Sequence, residues 1–393
     1  MKIGMVLWGN FPPDIRVEKE ANTLLKEGHE VFLLALKRNP KEREHEVYRG
    51  IKINRIPKPP LYEIFYGSFF NLIPSAKKQI EVFIEENDID VIHVHDLFLV
   101  NTTYFASKKF KIPIIADLHE PYPELIKLWH GNRIERFIFY DYRRWLFFEN
   151  HTLHKVNKII TVAEEAKRRL ILIHGIHEKK IEVITNTETL EFCNLSVNRG
   201  IVKAYTKYFT ILYVGGFGSH RGIETLLQAT SKLRDTIPNL RVVIVGGRDN
   251  QIRKTEERSR NLGIADIVEF TGYKPFKEVP SYLHAASLCV VPHTLTSHTD
   301  NTIPHKLFQY MLLGKPVIVS SCKPLREIIE MTKGGLVFTA NNPNDLAAKI
   351  EYLYKNKKLL KKLGRFGLRA TRYGKWNWEN TSKRLISIYK NLW

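Results

Sequence analysis

Thr299-Asp300-Asn301-Thr302-Ile303-Pro304-His305-Lys306-Leu307-Phe308-Gln309-Tyr310-Met311-Leu312-Leu313-Gly314-Lys315-Pro316-Val317-Ile318-Val319-Ser320 reads as loop, helix, tight turn and buried strand. Pro304 suits the first helical position, where its missing N–H is no loss. Leu307, Tyr310, Met311 and Leu313 recur at helical spacing, Gly314 stops the helix, and Pro316 prevents its continuation. Val317, Ile318 and Val319 are β-branched and apolar, as in a strand covered on both faces. Unpaired N–H groups at the start of such a helix, beside Lys306, would make an anion site. Taken alone, the pattern fits an ordinary helix–strand unit equally well.

The same alternation runs outward in both directions. Strand patterns fall at 2–8, 30–36, 51–56, 91–95, 112–116, 159–162 and 181–185. After a polar, glycine-containing lapse at 190–207, they resume at 210–214, 241–245, 267–270, 288–291, 317–319 and 336–338. Helical patterns fill the intervals, among them 222–233, 252–262, 279–285, 306–313, 325–331 and 345–354. No strand-turn-strand signal interrupts them, which predicts parallel sheets covered by helices. The expected class is α/β, with two Rossmann-like, doubly wound parallel-sheet domains facing a central cleft: 1–192, 193–372, and a C-terminal helix at 373–393 returning to the first. Ligands in such sheets bind outside the carboxyl ends of the strands.

Length and composition agree with that division. The 393 residues suffice for two cores, and 44% hydrophobic with 26% charged residues is usual for a globular chain. No run approaches the ~18 apolar residues of a membrane span. Three cysteines, Cys193, Cys289 and Cys322, have neither disulfide nor zinc spacing, so a reducing cytoplasm is expected. Charge is uneven. Residues 1–200 carry 30 Lys and Arg against 27 Asp and Glu, whereas residues 201–393 carry 31 against 14. A basic half suits nucleic acid, an anionic membrane or a phosphorylated ligand. The aromatics show no RNP-like or OB-like pattern, so nucleic acid is not an expected partner.

Several short motifs then narrow the field. Phe11-Pro12-Pro13-Asp14-Ile15-Arg16-Val17-Glu18-Lys19-Glu20-Ala21 runs on to Gly28-His29-Glu30-Val31. Ile89-Asp90-Val91-Ile92-His93-Val94-His95-Asp96 and Ala116-Asp117-Leu118-His119-Glu120 end two strands. Val214-Gly215-Gly216-Phe217 with Arg221-Gly222 opens the second half, and Trp376-Asn377-Trp378-Glu379 opens the last helix. In order and spacing these resemble the GT-B glycosyltransferases of retaining family 4, the group 1 glycosyltransferases, over nearly the whole chain.

That resemblance implies transfer of a sugar from a nucleotide-diphosphate donor, UDP- or GDP-linked rather than ADP-linked. The acceptor would be a glycan or a lipid-linked molecule, the configuration retained, and the pathway cell-surface polysaccharide or glycoconjugate synthesis. No cofactor or metal is implied. A non-catalytic sugar-nucleotide-binding homologue and a GT-B-type phosphorylase or epimerase are the alternatives. Arg221, whose guanidinium matches phosphate oxygens, Lys306 and His119 are the expected catalytic residues. Gly215, Gly216 and Gly218 would admit the diphosphate to the backbone, joined by Ile303, Pro304 and His305. Where the family has Arg, this chain has Gly216. Where it has two carboxylates eight apart, this chain has Asn301 and Gln309, with Asp300 as a nearby acid. An exchange of Gln309 for Glu is therefore expected to be tolerated.

Gly9, Asn10 and Arg16 form a candidate acceptor or phosphate loop, and Glu120 lies next to His119. His93 and His95 share one strand face. A metal site would want further acids and histidines, which Asp96-Leu97-Phe98 does not supply. Aromatic-basic stretches at 62–70, with Lys77 and Lys78 beyond, and at 133–148, with Arg136, Arg143 and Arg144, fit an anionic bilayer on the inner face of the cell membrane. They fit equally a buried helix with snorkelling Arg.

Overall fold

A computed structural model describes residues 1–129 and 133–392, with Arg136 and Ile138 by their backbone alone. Eight strands form the first sheet: β1 (Lys2–Leu7), β2 (Glu30–Leu36), β3 (His45–Tyr48), β4 (Ile51–Ile56), β5 (Val91–His95), β6 (Ile114–Leu118), β7 (Lys158–Thr161) and β8 (Ile181–Val183), in the order β3-β4-β2-β1-β5-β6-β7-β8. Six more form the second: β9 (Phe209–Val214), β10 (Leu240–Val245), β11 (Val268–Gly272), β12 (Leu288–Val291), β13 (Val317–Ser320) and β14 (Gly335–Phe338), in the order β11-β10-β9-β12-β13-β14.

Each sheet starts in its middle and is wound outward in both directions. The order reverses beside β1 in the first and beside β9 in the second, and such reversals are where open sheets bind ligands. Helices cover both faces, so the central strands have no solvent-facing side: Ile3, Met5, Ile92 and Ile115 in one sheet, and Ile211, Leu212, Val242 and Val290 in the other, are fully buried.

Two compact units result, Met1–Thr185 with the chain from Ser382 onward, and Asn186–Thr381. The helix Trp378–Lys390 contributes its first turn to the second unit and the remainder to the first. Asn377 caps this helix, accepting from the Asn380 N–H at 2.9 Å. Tyr389, near its end, is fully buried against His93.

Among the departures from the sequence reading, two fall in the first unit. β3 pairs with β4 antiparallel, with Tyr48 opposite Ile51, so the first sheet has a hairpin at its edge. Arg49 and Gly50 both have positive φ, 51° and 86°, as a two-residue type I′ turn requires. Arg in the first of these positions gives none of the usual Asn-Gly or Asp-Gly signal, and β3 itself is short and charged, as befits an edge strand. The helix Leu97–Ser107 also went unread, because burial of most of its residues leaves it without a polar face.

Candidate active site

In the second unit, β9 runs into Gly215-Gly216-Phe217-Gly218. Gly215 has φ +139°, and a Cβ there would come 2.5 Å from Lys306 Nζ, so the glycine makes room for the ammonium. Lys306 opens the helix Lys306–Leu312 and is 9% exposed. Its Nζ lies 3.8 Å from the centre of the Tyr213 ring and, among the described residues, has no hydrogen-bond partner. Burial, and then Arg221, push its pKa well below that of ordinary lysine. An anion bound between this amine and the Arg221 guanidinium would restore the ammonium's charge, which makes the pair a candidate anion site. The Tyr213 hydroxyl donates to Gly216 O at 2.7 Å, and the Val214 N–H donates to the Tyr310 hydroxyl at 2.8 Å, so both loop and helix are held in register.

Arg221 ends the single turn Ser219–Arg221, and its Nη1 stands 3.4 Å from His293 Nε2. Burial, reinforced by Arg221 and Lys306, keeps His293 neutral, its pKa well below the usual value. Gly222 follows with φ +70°, and a Cβ there would lie 1.6 Å from Pro292 O; only glycine fits. At Gly218 a Cβ would meet the His220 ring at 2.9 Å, whereas at Gly216 it meets nothing within 4 Å. Gly246 and Gly247, after β10, belong to the same rim and were not singled out from the sequence. A Cβ on Gly246 would stand 2.4 Å from Gly215 O, so the two loops pass backbone to backbone. Their signal was legible: Val245-Gly246-Gly247 repeats the Val214-Gly215-Gly216 pattern at a strand end.

The opening stretch is built differently from its reading. Pro304 precedes the helix by two residues and is not its first position. The Leu307 and Phe308 N–H groups donate to the Pro304 and His305 carbonyls, which leaves the backbone anion role to residues before Leu307. Asn301 Nδ2 donates to Ser297 O at 2.7 Å within its own turn. Asp300 is no replacement carboxylate in this conformation, because its Oδ1 accepts the Lys323 N–H at 2.9 Å, at the start of the helix Lys323–Thr332. Gln309 is buried, and its Nε2 donates to Glu188 at 2.9 Å. His305 Nε2 reaches the same carboxylate oxygen at 2.9 Å. Glu at 309, the exchange expected to be tolerated, would set two buried carboxylates against each other, so this geometry argues against that expectation.

In the first unit, His119 follows β6. Its Nε2 is 3.1 Å from Asp117 Oδ2 and 3.2 Å from His95 Nδ1, and its Nδ1 is 3.7 Å from Asp96. Burial works against the charged ring, but Asp96 and Asp117 outweigh it and raise its pKa to about 10. Arg16 does not serve the Gly9-Asn10 loop as expected. Its guanidinium is buried, bidentate on Asp117 at 2.8 and 3.0 Å, bonded to Ile184 O at 3.1 Å, and 3.0 Å from Glu20. Asn10 Nδ2 donates to Leu36 O, and the Leu36 N–H donates to Gly9 O, fastening that loop to the end of β2. Glu120 lines the cavity beside His119.

The acids judged missing beside His93 and His95 are present. Glu20, His93, His95 and Asp117 each place a ligand atom within 4.8 Å of the others. Arg16 and His119 already supply the positive charge that these carboxylates call for, and a divalent ion would add to it. Burial holds His95 down to about 3 and raises Glu20 to about 8.

A cavity of about 500 Å³ opens beside His119, with Trp8, Phe98, Tyr122, Trp129 and Tyr140 in its wall. The helix Leu61–Phe70 leaves Tyr62 and Phe70 exposed, 71% and 61%, and Phe137 and Phe147 are also exposed. Snorkelling is seen at Arg144, whose guanidinium lies 4.4 Å from the Phe69 ring centre. The Arg136 side chain lies outside the described residues. No described helix is long and apolar enough to cross a membrane.

Two units, each built on a largely parallel sheet wound outward from its middle, have the GT-B fold. Residues 15–187 match the model for Glycosyltransferase Family 4, and residues 196–369 that for Glycosyl transferases group 1; the chain belongs to this family, as a family 4-like group 1 glycosyltransferase. It is 25% identical to an uncharacterized glycosyltransferase of Methanocaldococcus jannaschii, MJ1607, over 99% of this chain and 98% of that one. Among solved structures it is similar to sucrose-phosphate synthase from Thermosynechococcus elongatus, with TM-score 0.83, 19% identity, and 100% and 98% of the two chains covered. It is also similar to Anabaena Alr3699/HepE in complex with UDP-glucose, with TM-score 0.73, 14% identity, and 99% of each chain covered.

Proposed function

We propose that this glycosyltransferase takes its sugar from a nucleotide-diphosphate donor, UDP- or GDP-linked in preference to ADP-linked. The observation that carries the reading is the buried, unpartnered ammonium of Lys306 beside Arg221 and Gly215. Breaking the bond between the sugar's anomeric carbon and the diphosphate oxygen leaves negative charge on the nucleotide. Two fixed cations in a water-poor site stabilise that charge as it develops. HepE was crystallised with UDP-glucose, which supports the donor class. No step in this account calls on a metal.

The acceptor is read as a glycan or a lipid-linked molecule, held in the aromatic cavity next to His119. Flat aromatic walls suit the apolar face of a sugar ring, and the exposed aromatics of Leu61–Phe70 suit a bilayer surface. Transfer with retention and a place in cell-surface polysaccharide or glycoconjugate synthesis complete the reading, by analogy with the family. Thermal shift against UDP-, GDP- and ADP-sugars tests the donor. A UDP- or GDP-sugar should raise the melting temperature, and Arg221→Ala should remove most of the shift. Absence of any shift, or a full shift in the variant, defeats the assignment.

A further inference from the structure

Glu188 belongs to none of the motifs, yet it is a buried carboxylate near the start of the donor-side unit. It is 2% exposed, and both of its oxygens are engaged. Oε1 accepts from the Thr189 N–H at 2.8 Å and from its hydroxyl at 3.3 Å. Oε2 accepts from Gln309 Nε2 and His305 Nε2, both at 2.9 Å. A carboxylate without a proton only accepts, so the amide of Gln309 must meet it nitrogen first. The reverse orientation would set a carbonyl oxygen against a carboxylate oxygen in a buried site. Gln309 Oε1 is thereby left on the far arm of the planar amide and, among the described residues, accepts no hydrogen bond.

Gln309 stands three residues after Lys306 on one helix, so the two occupy neighbouring positions on one face. In a nucleoside diphosphate the ribose follows the phosphates directly, and its hydroxyls are donors in need of an acceptor. We propose that Glu188 is a positioning residue that locks Gln309 as a hydrogen-bond acceptor for a ribose hydroxyl of the donor. The idea rests on the nucleotide-sugar reading above and adds the means by which an amide does work usually given to an acid. It also makes 188 and 309 a matched pair, one carboxylate and one amide.

Calorimetric titration of the full chain with UDP, GDP and ADP, and with their 2′,3′-dideoxy analogues, tests it. In the unaltered protein the best-bound diphosphate should lose about tenfold in affinity when its hydroxyls are removed, the scale of one good hydrogen bond. Glu188→Gln, whose amide offers either end to Gln309, should shrink that penalty to about threefold or less. Gln309→Glu alone should weaken binding, and the exchange E188Q/Q309E should restore both affinity and penalty. A pair with a merely structural role would shift the melting temperature and leave the hydroxyl penalty unchanged. An undiminished penalty in folded Glu188→Gln, or no penalty in the unaltered protein, overturns the proposal. Should Glu188→Gln not fold, the exchange decides instead: loss of the penalty there overturns it. If none of the three diphosphates binds the unaltered protein, the nucleotide-sugar reading itself has failed.

Discussion

Lys306 and His119 show how far a residue's placement can be read before its surroundings are known. Lys306 was legible because the turn and helix around it are local. Arg16 was misread because its partner, Asp117, lies 101 residues away. Glu188 was missed because it meets Gln309 across 121 residues, and nothing in Asn186-Thr187-Glu188-Thr189 announces a buried acid. The charges around His119 carry a pH consequence. Burial raises Glu20 from an ordinary carboxyl value of 4.5 to about 8, so the folded state holds a proton that the unfolded state has released. Stability from this group is present below pH 4.5 and is lost as pH rises through 8. His119, raised to about 10, acts in the same direction between 6.5 and 10. Lowered groups such as His95, His293 and Lys306 act in the opposite sense, so the test is differential: Glu20→Gln, which cannot ionise, should gain melting temperature relative to the parent between pH 5 and pH 8. An unchanged profile in that variant would remove Glu20 from the account.

At the scale of elements, two of the donor loop's glycines, Gly216 and Gly222, behave oppositely. Gly222→Ala places a Cβ 1.6 Å from a backbone oxygen at φ +70°; the loop must move, with a cost on the order of 3 kcal/mol or more. Chemical denaturation should show that loss together with weaker nucleotide binding. Gly216→Arg meets open space, so its stability should stay within about 0.5 kcal/mol of the parent. The added guanidinium should tighten diphosphate binding severalfold at low salt, with less gain at high salt. No change in affinity would place the diphosphate elsewhere. The strands of both sheets were read mostly to within two residues, since buried parallel strands are continuous β-branched runs. The β3–β4 hairpin escaped because its turn depends on positive φ at Arg49, which the local sequence does not advertise.

For the molecule as a whole, a net charge of +20 and the exposed aromatics of the first unit bear on where the enzyme works. Flotation with anionic liposomes should recover the protein at low salt and less of it at moderate salt, and serine at Tyr62 and Phe70 should reduce recovery in both. No flotation under either condition removes the membrane from the reading. The sequence by itself determined the α/β class, two Rossmann-like sheets and the order of the motifs, because helix and strand periodicity and strand-end glycines are properties of neighbours in the chain. Tertiary structure alone decided which charges are free. It bound Arg16 to Asp117, turned Asp300 into a helix cap, gave Gln309 its partner in Glu188, and left Lys306 buried with no hydrogen-bond partner among the described residues. Burial sets what a charge costs and which distant group must answer it, and burial exists only once the chain has folded.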